Sequence, residues 1–424
     1  MSSSPPLPST SQPWVTADAF LEGRHRSFGE RSTRFATETL RPLAHPGSDE
    51  EARNQARRIL TLLGDGGWLD PIEVLDLRSV CLLRETLGRE WPLADAVCAL
   101  QALGTTPILL RGGKRLTEAW ARPALRGRAM AGFAMTEEDA GSDVAAIATR
   151  ARKVGDEYVL DGEKTFISNA GIADFYTVFA STDPDAGRKG LTCLVVPADA
   201  PGFEYLGPLR LSEPHPLGRI AFRECRIPQE NRVGGEGEGL KVGLATLDRL
   251  RPSVAAAACG MAARALDEAL GHASRRRQFG RALSDFQLVQ DKLARMATEL
   301  EAARLLTYRA AWLHDGGRER ITLEASQAKA YATEAAQRVV DQAVQVLGGR
   351  GVLEDSPVDR LYRAVRALRI YEGTTEIQHL IIARHLLEGQ PPGNSGGGSE
   401  PRDQVGKRRP DQVKSEPPDQ EERS

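Results

Sequence analysis

The chain has 424 residues, of which 41% are hydrophobic and 27% are charged, an ordinary composition for a globular protein of two or three compact units. Its formal net charge of -2 gives no electrostatic basis for binding nucleic acid or an anionic membrane. The 5 cysteines are widely spaced and the 7 histidines show no metal-ligand spacing, so the sequence predicts neither a metal site nor a disulfide framework.

Residues 1–17 are rich in Ser and Pro and predict a disordered arm, with neither the basic start nor the apolar core of a secretory signal. No apolar stretch approaches the roughly 18 residues that span a bilayer, so no membrane partner is expected. Together with the unpaired cysteines, these features predict a cytoplasmic protein.

Residues 18–130 have the pattern of helices, because apolar residues return every three or four positions in segments such as LRSVCLLRETLG and DAVCALQALG. Between 131 and 235 the pattern changes to short β-prone runs. In ARKVGDEYVLDGEKTFIS, Gly155-Asp156 joins two such runs into a hairpin, and Asp161-Gly162 is a second turn signal. This segment predicts a middle β domain of modest size.

Residues 236–389 return to the helical pattern. A long packed helix is predicted by an apolar stripe at spacings of three and four, formed by Phe286, Val289, Leu293, Met296, Leu300 and Ala303. Helices of this length usually bundle. Residues 390–424 repeat Pro-Asp-Gln and lack large apolar residues, which predicts a disordered tail. The predicted fold class is therefore α+β, mainly α.

Two stretches of the β segment carry residues suited to a ligand. In FAMTEEDAGSDVAAIATRA, Thr136 and Ser142 belong to a small-polar loop whose backbone N–H groups can approach an anionic or carbonyl ligand, although such residues also serve as ordinary turn formers. In GEKTFISNAGIADFYTVFA, Phe166 and Ser168 lie on the same face of a strand, opposite Ile167. That face is either core or the wall of a site.

Two stretches of the second helical segment raise similar alternatives. RRRQFGRALSDFQLVQDKLA opens with three arginines, which form either a solvated basic patch or, because guanidinium bonds bidentately, a pyrophosphate site. In QVLGGRGVLEDS, Gly348 and Gly349 would by themselves mark only a helix end.

Glu372 lies in LRIYEGTTEIQ, between an aromatic residue and a glycine just before an apolar helix. It belongs either to a polar turn between helices or to a site in which it acts as a base. Glu376, on the first turn of that helix, could simply complement the helix dipole. Asp248 and Arg251 in LDRLRP have helical spacing, and their simplest interpretation is a surface ion pair.

The order of helical, β and helical segments, with these stretches and their mutual spacing, resembles the acyl-CoA dehydrogenase family of flavoenzymes over roughly residues 20–388. The resemblance implies an N-terminal helical domain, a middle β-barrel-like domain and a C-terminal helical bundle. It implies FAD as cofactor, acyl-CoA as substrate and an electron-transfer flavoprotein as electron acceptor. It also implies a homotetramer in which neighbouring subunits share FAD.

The same resemblance implies the binding residues. Those that would contact FAD are Phe133, Met135, Thr136, Ser142, Phe166, Ser168, Arg276, Gln278, Phe286, Gln287, Gln345, Gly348, Gly349, Thr374 and Glu376. Arg276 and Gln278 would contact the FAD of a neighbouring subunit. Those beside the acyl-CoA would be Ser142, Asp248, Arg251 and Gly373.

Oxidation of an acyl thioester to its trans-2-enoyl product removes an α proton and a β hydride. It requires a placed base, stabilisation of the enolate oxygen and a cofactor that accepts hydride. The resemblance implies that Glu372 takes the α proton while FAD N5 takes the hydride. The backbone N–H of Glu372 and a ribityl hydroxyl of FAD would hold the thioester oxygen.

The chain departs from the family pattern at GPLRLSEPHPLGRIAF, where Pro214, His215 and Pro216 alter a small-polar loop. This departure leaves the acyl group and its carrier open. Alternative functions are the oxidation of an acyl group bound to an acyl-carrier protein in a specialised biosynthetic pathway, and an acyl-CoA oxidase. A third alternative is a non-catalytic flavin-bound scaffold.

Overall fold

The computed structural model describes residues 12–388. Helices precede the sheet: α1 (Pro13–Thr16), α2 (Gly23–Phe35), α3 (Asp49–Asp65), α4 (Asp70–Glu73), α5 (Leu77–Glu90), α6 (Pro92–Arg111), α7 (Gly113–Leu116) and α8 (Arg122–Leu125). The sheet contains β1 (Ala131–Ala134), β2 (Arg150–Val154), β3 (Glu157–Ser168), β4 (Phe175–Ser181), β5 (Leu191–Pro197), β6 (Phe203–Pro208), β7 (Leu217–Pro228) and β8 (Arg232–Val233).

Helices also follow the sheet: α9 (Gly239–Arg275), α10 (Gln287–Asp315), α11 (Thr322–Leu347), α12 (Pro357–Val365) and α13 (Thr375–Glu388). A short hairpin of β9 (Arg277–Gln278) and β10 (Arg281–Ala282) lies between α9 and α10. The predicted α+β fold class, mainly α, is confirmed. The predicted tail, residues 390–424, lies outside the described residues.

Two local predictions need correction. The predicted disordered arm extends too far, because α1 is a helical turn within it and Ala17 is fully buried in the core; residues 1–11 lie outside the described range. Asp161-Gly162 is not a turn but a register irregularity inside β3. Gly162 has φ 143°, and a Cβ there would lie 2.6 Å from the Thr149 hydroxyl, so the glycine permits a close approach of two chain segments. The hairpin at Gly155-Asp156 is confirmed.

The sheet curls around its own apolar side chains. Its strand order is β6-β7-β3-β2-β4-β5-β8, with β1 parallel to β4 at its side. One face encloses Tyr158, Tyr176 and Phe222 in a core of its own. The other face packs, through Phe175 and Phe179, against helices that precede the sheet in the chain and helices that follow it. The sheet therefore joins the two helical segments, and a site at this junction can draw residues from all three.

Helix α9 forms the centre of the helical part, where α5, α10 and α11 pack against it. Its contact with α5 brings the two backbones together: a Cβ at Gly260 would lie 2.0 Å from the Glu85 carbonyl oxygen, and one at Gly88 would lie 2.7 Å from the Ala257 carbonyl oxygen. Glycine on both helices therefore sets their separation.

The expectation that no segment is long and apolar enough to span a membrane is wrong for helix α6. By length and composition Pro92–Arg111 is long and apolar enough to do so, but 83% of its most apolar stretch is buried by the rest of the protein. It packs against α3, α5, α9 and β1. A central core helix has this composition because it is apolar on all sides.

We expect Gly260→Ala to lower the free energy of unfolding by about 2 kcal/mol, because the added methyl group must separate α9 from the α5 backbone. Gly271→Ala, on the same helix, is the matched control. A Cβ there meets only the flexible end of Arg275 at 3.2 Å, and alanine is the better helix former. Chemical denaturation of both variants measures the difference; equal stabilities would contradict this account of the α5–α9 contact.

Candidate active site

Glu372 lies in a strained turn between Arg366–Arg369, a single helical turn, and α13. Its φ of 54° is in the left-handed region, and Gly373 follows with φ 92°. A left-handed conformation costs a residue other than glycine roughly 1–2 kcal/mol. A Cβ at Gly373 would lie 2.5 Å from Gln378 Nε2, so glycine is required there for space as well as for conformation. Contacts with the surrounding helices must offset this strain.

Three buried side chains hold the turn by its carbonyl groups. The Glu372 carbonyl oxygen accepts hydrogen bonds from Arg251 Nε of α9 and from Gln378 Nε2 of α13, both at 3.3 Å. The Gly373 carbonyl oxygen accepts from Lys329 Nζ of α11 at 2.7 Å and from Gln378 Nε2 at 3.0 Å. We call these three residues the turn clamp. All three side chains are at most 3% exposed, so their hydrogen bonds to the turn are shielded from water and are stronger than they would be at the surface.

The Glu372 carboxylate is suited to proton transfer. Its Oε2 is buried and has no hydrogen-bond partner among residues 12–388. Burial raises the pKa of Glu372 above its ordinary value, and the cations Arg84, Lys329 and Arg251 offset part of this effect. The result is a carboxylate that is more basic than one in water and whose oxygen is free to accept a proton.

Arg251 and Asp248 do not form a surface pair, so the simplest interpretation of their spacing is wrong. Arg251 is 3% exposed and its guanidinium bonds both the Asp248 carboxylate and the Glu372 carbonyl. Asp248 also accepts a bond from the Thr322 hydroxyl at 2.8 Å. The pair therefore connects α9, α11 and the Glu372 turn.

A second group of predicted residues surrounds the end of β3. The Thr136 carbonyl accepts from the Thr165 amide at 3.0 Å, and the buried Lys164 Nζ donates to the Met135 carbonyl at 3.1 Å and to Glu137 Oε1 at 2.7 Å. Glu137 in turn accepts from the amides of residues 148 and 149. This network fixes the loop that carries Ser142, which is exposed.

The face that carries Phe166 is not core, because Phe166 is 59% exposed whereas Ile167 is 1% exposed. Phe133 is half-buried at the junction of the N-terminal helices and the sheet. Met135 is the exception within this group. Its side chain is buried toward Gly243 and Phe179.

The altered loop contacts this second group directly. Ser168 Oγ and His215 Nε2 are hydrogen-bonded at 2.8 Å, and Glu213 Oε1 lies 2.6 Å from His45 Nε2 of the N-terminal segment. Burial, with a smaller contribution from the Arg53 cation, lowers the pKa of His215 to about 4. His215 is therefore neutral at ordinary pH and holds the Ser168 hydroxyl.

A third group of predicted residues lies at the far end of the helical bundle, where α9 ends, α10 begins and α11 ends. It contains Arg276, Gln278, Phe286, Gln287, Gln345, Gly348 and Gly349. Apart from the half-buried Phe286, these residues are exposed. Burial lowers the pKa of His272, and the nearby cations Arg350 and Arg276 lower it further. This end of the bundle is therefore strongly basic.

The structure does not bring all predicted residues together within one chain. Roughly 37 Å of helix separates Arg251, beside the Glu372 turn, from Arg276 at the basic end. The two ends suit two parts of FAD. At the end of β3, the exposed ring of Phe166 and the hydroxyl of Ser168 suit the flavin. At the far end, arginines suit a pyrophosphate, and a Cβ at Gly348 or Gly349 would meet nothing within 4 Å. The residues therefore fit the cofactor in two separate parts.

Thr374 and Glu376 begin α13 beside the turn. Thr374 Oγ1 accepts from the Ile377 amide at 3.3 Å and so caps the helix. Glu376 is exposed, and hydrogen bonds at the helix start, from its own amide and the Thr374 hydroxyl, lower its pKa. It is thus a weaker base than Glu372.

The sequence did not predict the roles of Arg84, Lys164, Lys329 and Gln378, and it singled out His215 only as part of an altered loop. Lys329 carried a weak signal, since it lies between two alanines in a predicted packed helix. Gln378 lies on the first turns of α13 and Arg84 belongs to an ordinary amphipathic pattern, so only their neighbours from distant segments reveal their roles.

Comparisons with known proteins agree with this arrangement. Residues 237–387 match the family model of the acyl-CoA dehydrogenase C-terminal domain, and residues 132–225 match that of the acyl-CoA dehydrogenase middle domain. A probable acyl-CoA dehydrogenase of Mycobacterium tuberculosis is 40% identical over 316 residues, which cover 74% of this chain and 81% of the relative. The mitochondrial short-chain specific acyl-CoA dehydrogenase of Homo sapiens is 41% identical over 320 residues, with 74% and 76% covered.

Solved structures give the same result. Butyryl-CoA dehydrogenase from Megasphaera elsdenii superimposes with a TM-score of 0.79 at 32% identity, covering 87% of this chain and 99% of the other. An FAD complex of PigA superimposes with a TM-score of 0.77 at 27% identity, covering 86% and 98%.

We expect the burial of His215 to make stability depend on pH. The unfolded chain takes up the His215 proton near pH 6.5, whereas the folded chain resists it down to about pH 4. This contribution to the free energy of unfolding is therefore present above pH 6.5 and is lost as the pH falls from 6.5 to 4. Denaturation of the wild type and His215→Asn across this range measures it. A difference between the two proteins that does not change with pH would contradict the assignment.

Proposed function

Because the chain belongs to the acyl-CoA dehydrogenase family of FAD-dependent oxidoreductases, we propose that it oxidises an acyl-CoA to the trans-2-enoyl-CoA, with Glu372 removing the α proton. FAD, when bound, supplies the acceptor for the β hydride. The observation that carries this proposal is the buried Glu372 Oε2, which has no partner within the described chain and lies in a turn held by the turn clamp.

The turn clamp supports the base in two ways. It fixes the backbone of Glu372 and Gly373, so the carboxylate keeps one position relative to a bound substrate. Two of its members, Lys329 and Arg251, are cations that favour the ionised form of Glu372 and so oppose the effect of burial on its pKa. When the acyl group enters and excludes water, the remaining desolvation makes the carboxylate a stronger base. We assign the thioester oxygen to the backbone N–H of Glu372, as the resemblance implies.

We propose that the active protein is an oligomer, in line with the homotetramer expected from the resemblance. The distance between the two groups of FAD-binding residues supports this, because one bound FAD could draw on the Glu372 end of one copy and the basic end of another. Large exposed apolar side chains near the basic end and on α13 offer surface for such contacts: Phe279 is 93% exposed and Leu387 is 74% exposed. An electron-transfer flavoprotein is the proposed electron acceptor.

We expect Glu372→Gln to lower kcat by about a thousand-fold or more while FAD binding and its visible spectrum are retained, because the amide cannot accept the α proton. Anaerobic stopped-flow reduction of the flavin by a panel of acyl-CoAs measures this. Glu268→Gln, which removes a carboxylate that pairs with Arg264 elsewhere on α9, is the control and should reduce normally. Unchanged reduction in Glu372→Gln would remove Glu372 from the role of base.

We expect Lys329→Met to move the acidic limb of the kcat/KM profile to higher pH by about one unit or more, because it removes a cation that favours the ionised form of Glu372. Lys292→Met is the control, since this lysine donates to neutral Gln342 on the far side of α11 and should leave the limb in place. A Lys329→Met enzyme that loses rate at every pH, with the limb unmoved, would show that Lys329 acts only through the backbone of the turn.

A further inference from the structure

The end of strand β3 is held in a strained conformation. Phe166 and Asn169 have φ of 54° and 62°, in the left-handed region that residues other than glycine seldom adopt. The pairing of β3 with β7 also shifts in register between Lys164 and Ile167. Ser168 lies within this segment and is half-buried. Strained backbone of this kind persists only where its surroundings fix it, and it is concentrated at ligand sites.

Hydrogen bonds to main-chain carbonyl groups attach the altered loop to this end of β3. The Asn169 amide donates to the Pro216 carbonyl at 2.9 Å. Arg53 of α3 donates to the Leu217 carbonyl at 2.9 Å and to the Ala170 carbonyl, so one guanidinium connects the two chain segments. The loop is therefore anchored by contacts that do not involve its histidine side chain.

The His215 side chain instead contacts the Ser168 hydroxyl. His215 Nε2 and Ser168 Oγ are 2.8 Å apart, and within residues 12–388 this hydroxyl has no other hydrogen-bond partner. Pro214 and Pro216 flank the histidine and restrict the backbone on both sides of it. The imidazole therefore has few alternative positions, and it offers the hydroxyl a fixed partner.

This contact limits the directions in which the hydroxyl can bond a ligand. A serine hydroxyl has one O–H donor, whose hydrogen rotates to suit its partners, and two acceptor positions. When the imidazole occupies one of these places, those that remain point away from it. A neutral imidazole suits this arrangement, because its Nε2 can either donate to the hydroxyl or accept from it. His215 is neutral at ordinary pH because it is buried against Ser168 and the sheet.

The pair lies at an open edge of the protein. His215 lines a cavity of about 980 Å³ between the N-terminal segment 45–50, the altered loop and residues 353–363. Phe166, two residues before Ser168, is 59% exposed. A ligand at the end of β3 can therefore meet the aromatic ring and the hydroxyl without any rearrangement of the core.

We propose that His215 is a positioning residue for the cofactor: through its bond to Ser168 it orients the Ser168 hydroxyl toward bound FAD. The inference rests on the proposed function, in which the resemblance assigns Ser168 to FAD. A hydroxyl that is ordered before FAD binds loses less rotational freedom on binding, so FAD is held more tightly and in one arrangement. The altered loop thereby gains a role at the cofactor.

The test measures how fast FAD leaves the diluted holoenzyme, from the fluorescence of the released cofactor, in His215→Leu, His215→Gln and His215→Asn. A glutamine amide reaches the position of Nε2, whereas an asparagine amide reaches only that of Nδ1. We expect release to be about five-fold faster in His215→Leu and His215→Asn, the effect of one lost neutral hydrogen bond, and close to wild type in His215→Gln. Equal release from the Gln and Asn variants, or wild-type release from His215→Leu, would overturn the proposal.

A second measurement separates orientation of the hydroxyl from a general effect on the loop. The visible absorption bands of the bound flavin should shift in Ser168→Ala and, in the same direction, in His215→Leu, and the double variant should show no further shift than Ser168→Ala. Glu213→Gln, which weakens the other attachment of the loop, to His45, is the control and should leave bands and release unchanged. Additive shifts, or the same shift in Glu213→Gln, would show that His215 acts only on the loop.

If His215→Leu does not fold, the comparison of His215→Gln with His215→Asn decides the assignment, because both replacements are polar and differ only in reach. Recovery of the wild-type bands and release rate in His215→Gln alone supports it. Wild-type behaviour of both variants contradicts it.

The outcomes also separate this inference from the proposed function. If no acyl-CoA reduces the bound flavin while bands and release rates follow these expectations, the orientation of Ser168 stands and the proposed reaction fails. If acyl-CoAs reduce the flavin and His215→Leu behaves as the wild type does, the reaction stands and this inference fails. A protein that holds no FAD would overturn both.

Discussion

The clamp on two consecutive backbone carbonyls is the constraint on which the site depends. Glu372 occupies a conformation that its side chain disfavours. The hydrogen bonds that hold it come from Arg251 of α9 and Lys329 of α11, which are distant in sequence, and from Gln378 of the helix that follows the turn, and each donor is itself buried. Removing any donor would leave a polar group unsatisfied in the interior as well as loosening the turn. Two members of the clamp, Lys329 and Arg251, therefore act on both the position of the carboxylate and its pKa.

The sequence was sufficient for the fold class, because apolar periodicity distinguishes the helical segments from the β segment. For Glu372 the local pattern allowed either a polar turn or a base, and the resemblance to the family led to the prediction of a base. It was insufficient for the partners of that carboxylate. Arg251 has the spacing of an exposed pair, and only the packing of α9 against α11 shows that it is buried.

Local patterns also misled in places where tertiary contacts decide. Asp161-Gly162 has the composition of a turn, yet the glycine serves a close approach to Thr149 within a continuous strand. No stretch of membrane-spanning length was predicted, yet Pro92–Arg111 is long and apolar enough, and its neighbours bury it as a core helix. In both cases the residues that explain the composition lie far away in the chain.

The distribution of the turn clamp along the chain has a consequence for biosynthesis. Arg251 and Lys329 are made before Glu372, and Gln378 follows in the first turn of the last described helix. Until α13 leaves the ribosome and packs, two cations in the helical bundle lack the carbonyl oxygens that they bind in the finished protein. The helical bundle therefore cannot pack at low free energy before α13 is made. A product truncated before α13 would expose unsatisfied polar groups to proteases and chaperones, and would not persist as a folded but inactive protein. The active site is therefore complete only after α13 has been made and has packed.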